Sequence, residues 1–208
     1  MAGRPRGVDD SVILRAAVEV IGRVGPAKLT LAAVAGEVGL VPGTLVQRFG
    51  SKRGLLLALA ARSARTAEAL HERVRREHES ALAALHALAA ESMADVATPQ
   101  SYANHLAFLC TDLTDPEFHE HALAVHEARG RAIERLLGDA VSAGELVAGT
   151  DTAAVAGSVQ TAIAGAGLTW ALDRRGTLAE RLEREIAAVL APHRPQKGSN
   201  HGQATAGR

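Results

Sequence analysis

Residues 42 to 52 read Pro-Gly-Thr-Leu-Val-Gln-Arg-Phe-Gly-Ser-Lys, and they hold the side chains best suited to molecular recognition. Gln47 and Arg48 can each make a two-pronged hydrogen bond to a base edge, Gln to adenine and Arg to guanine. Leu45 and Phe49 lie one helical turn apart and predict an inward face, which leaves Gly43, Thr44, Val46, Gln47 and Arg48 pointing outward. Ser51 predicts a cap for the next helix and puts Lys52 in its first turn, where the helix dipole disfavours a cation. A phosphate at that place would satisfy both the helix end and the lysine.

Catalytic constellations are missing from the sequence. There is no Gly-x-Ser-x-Gly elbow, no phosphate loop with Gly-Lys-Ser or Gly-Lys-Thr, no Gly-x-Gly-x-x-Gly after a strand and no His-Glu-x-x-His. His119 and His126 are seven apart and align on one helix face, with Cys110 and Glu117 near in sequence. Without a Cys or His pair at ligand spacing they read as surface or pocket-lining residues rather than a metal site. The expectation is a protein with no catalytic residues, no metal and no cofactor.

The elements that must position Gln47 and Arg48 can be read from spacing. Asp9 to Val24 predicts a first helix with acids in its first turn and an inward stripe of Ile13, Ala17, Val20, Ile21 and Val24. Thr30 predicts the cap of a second helix, with Leu31, Val34, Ala35 and Val38 on one face and Gly39 at its left-handed end. Leu40 plugs the turn, and Pro42 suits the first position of a third helix. Two short helices joined by a tight glycine turn form the helix-turn-helix unit, whose second helix enters the major groove of DNA. Before it, Gly3-Arg4-Pro5-Arg6 predicts an extended basic arm over residues 1 to 8, either reaching a minor groove or phosphates, or a disordered start with no role.

The run from Val38 to Leu56, Val-Gly-Leu-Val-Pro-Gly-Thr-Leu-Val-Gln-Arg-Phe-Gly-Ser-Lys-Arg-Gly-Leu-Leu, resembles the signature of the TetR family of bacterial transcription regulators. The helix before it, Ile13 to Ile21, followed by Gly25 and Thr30, resembles that family too. The likeness covers roughly the first quarter of the chain and continues beyond it by helix order only. It implies that Lys52 touches the DNA backbone, and the expected DNA-contacting set is Arg4, Arg6, Thr30, Pro42, Gly43, Thr44, Val46, Gln47, Arg48 and Lys52. Two positions depart from the family pattern. Val41 stands where a capping Ser or Thr is usual, and Val46 where an aromatic residue touches a phosphate.

Charge supports a nucleic-acid footprint at one end. The chain is neutral overall, but residues 1 to 62 hold nine Lys and Arg against four Asp and Glu, a net of +5, and the remainder balances this at −5. Hydrophobic residues make up 47% and aromatics only 2%, so the core must be built mostly from Ala, Leu and Val, which favours close-packed helices. No segment approaches the roughly 18 uninterrupted apolar residues of a membrane span, so the expectation is a cytoplasmic protein with no membrane partner. Cys110, the single cysteine, excludes an internal disulfide and is expected to be a buried inert thiol, with a redox sensor as the alternative.

The expected fold is all-α, an N-terminal three-helix helix-turn-helix domain over residues 1 to 50 followed by a larger helical ligand-binding and dimerisation domain over 51 to 191. A long fourth helix runs from Leu55 to about Glu77, and Ser80 caps a fifth that Pro99 closes. A sixth passes through Tyr102, Leu106, Phe108, Leu109 and Cys110, and Asp115-Pro116-Glu117 opens a seventh that bends near Gly130 or Gly138. Residues 192 to 208 predict a disordered tail. The helix from Asp151 to Leu172 and the one capped by Thr177, with Leu178, Leu182, Ile186 and Val189 on one stripe, predict a homodimer through Gly157, Thr161, Gly165, Leu178, Leu182 and Ile186, or else closure of the monomer core. Candidate effector-lining residues are Tyr102, Phe108, Cys110, Phe118, His126 and Trp170, each of which can equally be core.

These features predict a ligand-responsive regulator of double-stranded DNA, a dimeric repressor released from a palindromic operator by a small, mainly apolar molecule. In that mechanism the effector binds among helices five to eight and favours a conformation that moves the fourth. The alternative is a helical small-molecule carrier or enzyme with a vestigial DNA-binding motif.

Overall fold

The structure, a computed structural model, describes residues 8–195 apart from the Asp112 side chain. Arg4 and Arg6, and the tail from residue 196 onward, lie outside the described residues. The rest forms nine α-helices with no strand among the described residues: α1 (Asp10–Val24), α2 (Leu31–Glu37), α3 (Pro42–Phe49), α4 (Lys52–Glu77), α5 (Ala81–Ser92), α6 (Pro99–Thr114), α7 (Pro116–Ser142), α8 (Thr152–Asp173) and α9 (Leu178–Leu190).

Local chemistry explains most of the boundaries. Asp9, Thr30, Ser51, Ser80, Thr98, Asp115, Asp151 and Thr177 each cap a helix by accepting a hydrogen bond from a first-turn amide. After α2, Gly39 takes φ +66°, and the Leu40 N–H donates to the Ala35 carbonyl at 2.9 Å. That left-handed residue turns the chain sharply and drives Leu40 back onto the core. Only α3 lacks a side-chain cap, because Val41 has no acceptor to offer.

Three apolar clusters hold the helices together. The first joins α1, α2 and α3 to the start of α4 through Ile13, Val20, Ile21, Val34, Leu45 and Leu55, and it takes in Phe118 from α7. The second is built on Leu85, Leu136, Leu137, Val159, Ile186 and Leu190 of α5, α7, α8 and α9. A third, smaller one surrounds Trp170 with Ala166, Leu178 and Leu182. The long helix α4 belongs to the first two, contributing Leu55, Leu56 and Ala60 to one and Val74 to the other.

Several expectations need correction. Pro99 opens α6 rather than closing α5, with Thr98 and Ser101 in a reciprocal capping box before it. Val24 ends α1 at the surface, 36% exposed, because the helix overruns the inward stripe there. The chain stays ordered beyond Leu190: Ala191–His193 forms a 3-10 turn whose His193 carbonyl accepts the Val147 N–H at 2.8 Å. Leu178, Leu182 and Ile186 are buried in the chain's own core, so α9 turns its apolar stripe inward and cannot offer it to a second copy. Cys110 is exposed rather than buried.

Candidate functional site

The reading head is assembled by the first cluster. Leu45 is fully buried and Phe49 half-buried beneath α3, and this anchors one face of an eight-residue helix. The opposite face presents Pro42, Gly43, Val46 and Gln47 to solvent, with Thr44 half-buried at its edge and Thr30 exposed at the start of α2. Val46 is 50% exposed and Val41 69%, an apolar surface with no role inside the chain. Gln47 has no partner among the described residues, so its amide is free to meet a base edge.

Arg48 is placed differently from Gln47. Its Nη1 donates to the Val8 carbonyl and lies 3.0 Å from the Asp10 carboxylate, which ties the end of α3 to the start of α1. Lys52 also has an internal partner, donating from Nζ to the Ala27 carbonyl at 2.9 Å. Either cation must exchange this contact for a nucleic-acid one, so part of its worth in binding is offset by the bond it gives up.

The base of α4 is fixed to the rest of the molecule by Arg53, which spacing did not single out. Its guanidinium contacts both oxygens of Asp115 at 2.9 and 3.0 Å, reaches Glu117 at 2.7 Å, and lies over the Phe118 ring. The same guanidinium beside Asp115 holds its carboxyl below the usual carboxylate range. A second tie runs from α1 to α6, where the Asn104 amide donates to the Gly22 carbonyl at 2.8 Å beside a half-buried His105. The reading head is thus gripped from two sides by α6 and α7, the helices expected to sense a ligand. These residues are far apart in sequence and left no periodic signal there.

The six candidate effector residues separate into groups. Phe118 is core of the first cluster, edge-on to Phe108 with ring centroids 6.2 Å apart. Cys110 and His126 are exposed, and the His126 side chain stands away from the core while its carbonyl accepts a bond from Gln160. Exposed His119 and His126 gather no third ligand, and among the described residues no cluster of His, Cys, Asp or Glu suited to a metal occurs. Trp170 borders two crevices, and Tyr102 joins it at the larger of them. One, of about 350 Å³, lies between the end of α5 and the start of α9, lined by Met93, Val96, Leu178 and Leu182. The other, about 670 Å³, lies between α6 and the end of α8. Both volumes fall within the range of small-molecule sites.

Along α8, Gly157, Thr161 and Gly165 are exposed, and a Cβ added at either glycine would meet nothing within 4 Å. Leu168 and Leu172, 46% and 75% exposed, extend the same apolar side. Among the described residues α8 is the one helix long and apolar enough to cross a bilayer by length and composition, yet it packs against α6, α7 and α9 and contains Gln160. Its open side is a smooth face along which another helix can lie close.

A basic helix-turn-helix carried on an all-helical, ligand-sized second body defines a DNA-binding regulator. Residues 13–59 match the model of the bacterial regulatory proteins of the tetR family. Over 92% of its length the chain has the fold of SmeT, the repressor of the Stenotrophomonas maltophilia multidrug efflux pump SmeDEF: 19% identity, 93% of that chain covered, TM-score 0.64. It is also similar to FadR from Bacillus subtilis in complex with stearoyl-CoA, at 18% identity over 88% and 98%, TM-score 0.63. A third likeness is to the ketosteroid transcriptional regulator KstR2 of Mycobacterium tuberculosis, at 16% identity over 94% and 99%, TM-score 0.58. No curated protein matches the chain.

Proposed function

We propose that the chain is a transcription repressor that binds a twofold-symmetric operator as a homodimer and leaves it when a small, mainly apolar molecule binds the second body. One observation carries this reading: a solvent-facing α3 sits on a core that α6 and α7 grip through Asn104 and through Asp115 and Glu117. A shift of those helices is therefore felt at the reading head. SmeT has been described with triclosan, an apolar molecule, and FadR with stearoyl-CoA, whose acyl chain is apolar although its coenzyme A part is an anionic nucleotide; the apolar portion common to both supports a mainly apolar effector here.

Gln47 and Arg48 are the proposed base readers, with Thr44 beside them and Lys52 on a phosphate. Val46 supplies apolar contact to a thymine methyl in place of an aromatic ring on a phosphate. A second copy lies along Gly157, Thr161 and Gly165, which spaces two heads for successive turns of the groove. The protein acts in the cytoplasm, where bacterial DNA is found, and has no catalytic role.

A gel shift against DNA from upstream of the coding region, with random DNA as competitor, tests the reading. A complex that survives excess random DNA is the expected result. Salt-sensitive binding that is equal on all sequences would leave only the general attraction of a basic surface and would overturn the repressor assignment.

A further inference from the structure

We infer that the interior of the second body, between the inward faces of α4, α7 and α8, holds a site for an amphipathic monocarboxylate, with the acid taken by Arg129 and the apolar body lying along Ala67, Val125 and Ile163. The inference rests on the regulator reading above and deepens it by naming the ligand class and its anchor.

The two larger apolar clusters stop short of one another. The first reaches Ala60 on α4 and Phe118 on α7, and the second takes over at Val74 and Ala132. No residue of α4 from 61 to 70 is buried, none of α7 from 119 to 127, and none of the described residues of α6. Ten helical residues span about 15 Å. Over that length α4 and α7 still run side by side, tied by the pairs Arg53–Glu117, Glu68–Arg131 and Arg75–Asp139. What keeps the clusters apart is the shortness of the side chains on the facing seams, Ser63 and Ala67 on α4 and Ala122 on α7, all half-buried around a hollow. Tyr102 seals α6 against α8, its ring lying on the α8 backbone at Gly167, where an added Cβ would fall 2.4 Å from a ring carbon.

Arg129 stands in the middle of the inward seam of α7. Phe118, Ala122, Val125, Ala132 and Leu136 share its stripe at three- and four-residue spacing, whereas Glu120, Glu127, Arg131 and Glu134, the charges that α7 gives to solvent, lie on the opposite side. On this seam Arg129 nevertheless keeps open surface, as a side chain lining a hollow does and one packed into a core does not. Protein crowds its guanidinium all the same: burial pushes it below the ordinary arginine value, and no nearby acid acts against this. It forms no ion pair with a carboxylate among the described residues, while its neighbour Arg131 pairs with Glu68 and Glu127. The hollow meets the inner side of α8, where Val159 is buried and Ile163 half-buried. Gly157, Thr161, Gly165, Leu168 and Leu172 lie on the other side of that helix, so a second copy along the open face does not cover Arg129. Helices α5, α6 and α8 contain neither Lys nor Arg, and Arg62 and Arg65 of α4 fall off its inward seam. One cation without a second suits a single carboxylate rather than a phosphate-rich group. A crowded guanidinium without a partner is costly, and a carboxylate supplies that partner through a charge-assisted, two-pronged bond.

The intact protein is titrated by calorimetry with decanoate below its micelle concentration, and separately with 1-decanol. Decanoate should bind one site per chain, at least about tenfold more tightly than the alcohol. Arg129→Gln and Arg129→Met should both erase that preference while leaving the alcohol's affinity unchanged. Ala67→Leu tests the hollow itself. Its melting midpoint should hold or rise and its affinity for both ligands should fall at least about tenfold, whereas in a packed core the larger side chain would lower the midpoint. Equal binding of acid and alcohol by the natural chain overturns the assignment, as does a preference that survives both substitutions at Arg129, a lowered midpoint for Ala67→Leu, or no binding of decanoate at all. A parallel gel shift separates this inference from the regulator reading: decanoate that binds through Arg129 without releasing operator leaves the carboxylate site standing and refutes its role as effector site, and a natural chain that never prefers operator over random DNA refutes the regulator reading alone.

Discussion

Replacing Gly54 by alanine should damage the joint between α3 and α4 more than any other single methyl in the reading head. A Cβ at this position would lie 1.9 Å from the Phe49 carbonyl oxygen and 3.1 Å from its carbon. A tolerable carbon-to-oxygen approach is about 3.3 Å, so the two backbones must part by about 1.4 Å. The obstacle is main chain, which cannot rotate away as a side chain would. We therefore expect the upper end of the overpacking range, about 3 kcal/mol. For a chain of this length that corresponds to a fall of about 6–12 °C in the melting midpoint. The displacement also tilts α3 away from the frame that Leu45 and Phe49 define, so operator affinity should drop by at least about tenfold even at temperatures where the variant is folded. Thermal melts and gel shifts of the natural protein, Gly54→Ala and Gly138→Ala form the experiment. Gly138 lies inside α7, and a Cβ there meets nothing within 4 Å, so its alanine should stabilise by about 1 kcal/mol through helix propensity alone. An unchanged melting midpoint for Gly54→Ala would refute the steric argument. An unchanged midpoint with lost DNA binding would show that the joint yields without strain and that its geometry serves recognition only.

Further expectations concern association, recognition and pH. A Cβ at the exposed Gly165 meets nothing within 4 Å, so Gly165→Leu should fold normally and sediment as a monomer with weak operator affinity; a persisting dimer would place the interface elsewhere. Arg48→Ala should cost about 1–3 kcal/mol on operator and less on random DNA, whereas equal losses on both would reduce Arg48 to a tie between α3 and the Val8–Asp10 segment. Burial pushes His71, His86 and His105 below the ordinary imidazole value, against which nearby Glu72, Glu183 and Asp95 act only in part. A histidine whose folded value is depressed stays neutral in the fold while the unfolded chain takes up the proton. Stability should therefore be fully present above about pH 6.5 and be lost as pH falls towards the depressed folded values. Urea titrations between neutral and mildly acidic pH check this, and His105→Gln should lessen the slope. A flat profile across that interval would contradict neutral burial.

What could be read without a structure was what depends on neighbours in sequence. The capping residues Thr30, Ser51, Ser80 and Thr177, the glycine turn at Gly39 and the stripe on α1 are settled by contacts within a few residues, and they appear where the spacing puts them. The outward placement of Gln47 and Val46 follows from the same helical period, because Leu45 and Phe49 define the inner face. Periodicity cannot say which partner an apolar stripe meets. Leu178, Leu182 and Ile186 make one stripe whether they face a second copy or their own chain, and only the packing of α9 on α8 and α5 decides for the latter. Nor could spacing tell Phe118, buried under the reading head, from Trp170, set beside a crevice, since both are aromatic residues on apolar helix faces. The pairing of Arg53 with Asp115 and Glu117 spans more than sixty residues, and the seat of Tyr102 on Gly167 is equally remote. Such contacts depend on how whole helices are laid against one another, and that is fixed by the shape of the assembled core, which the periodic pattern of any single helix does not carry.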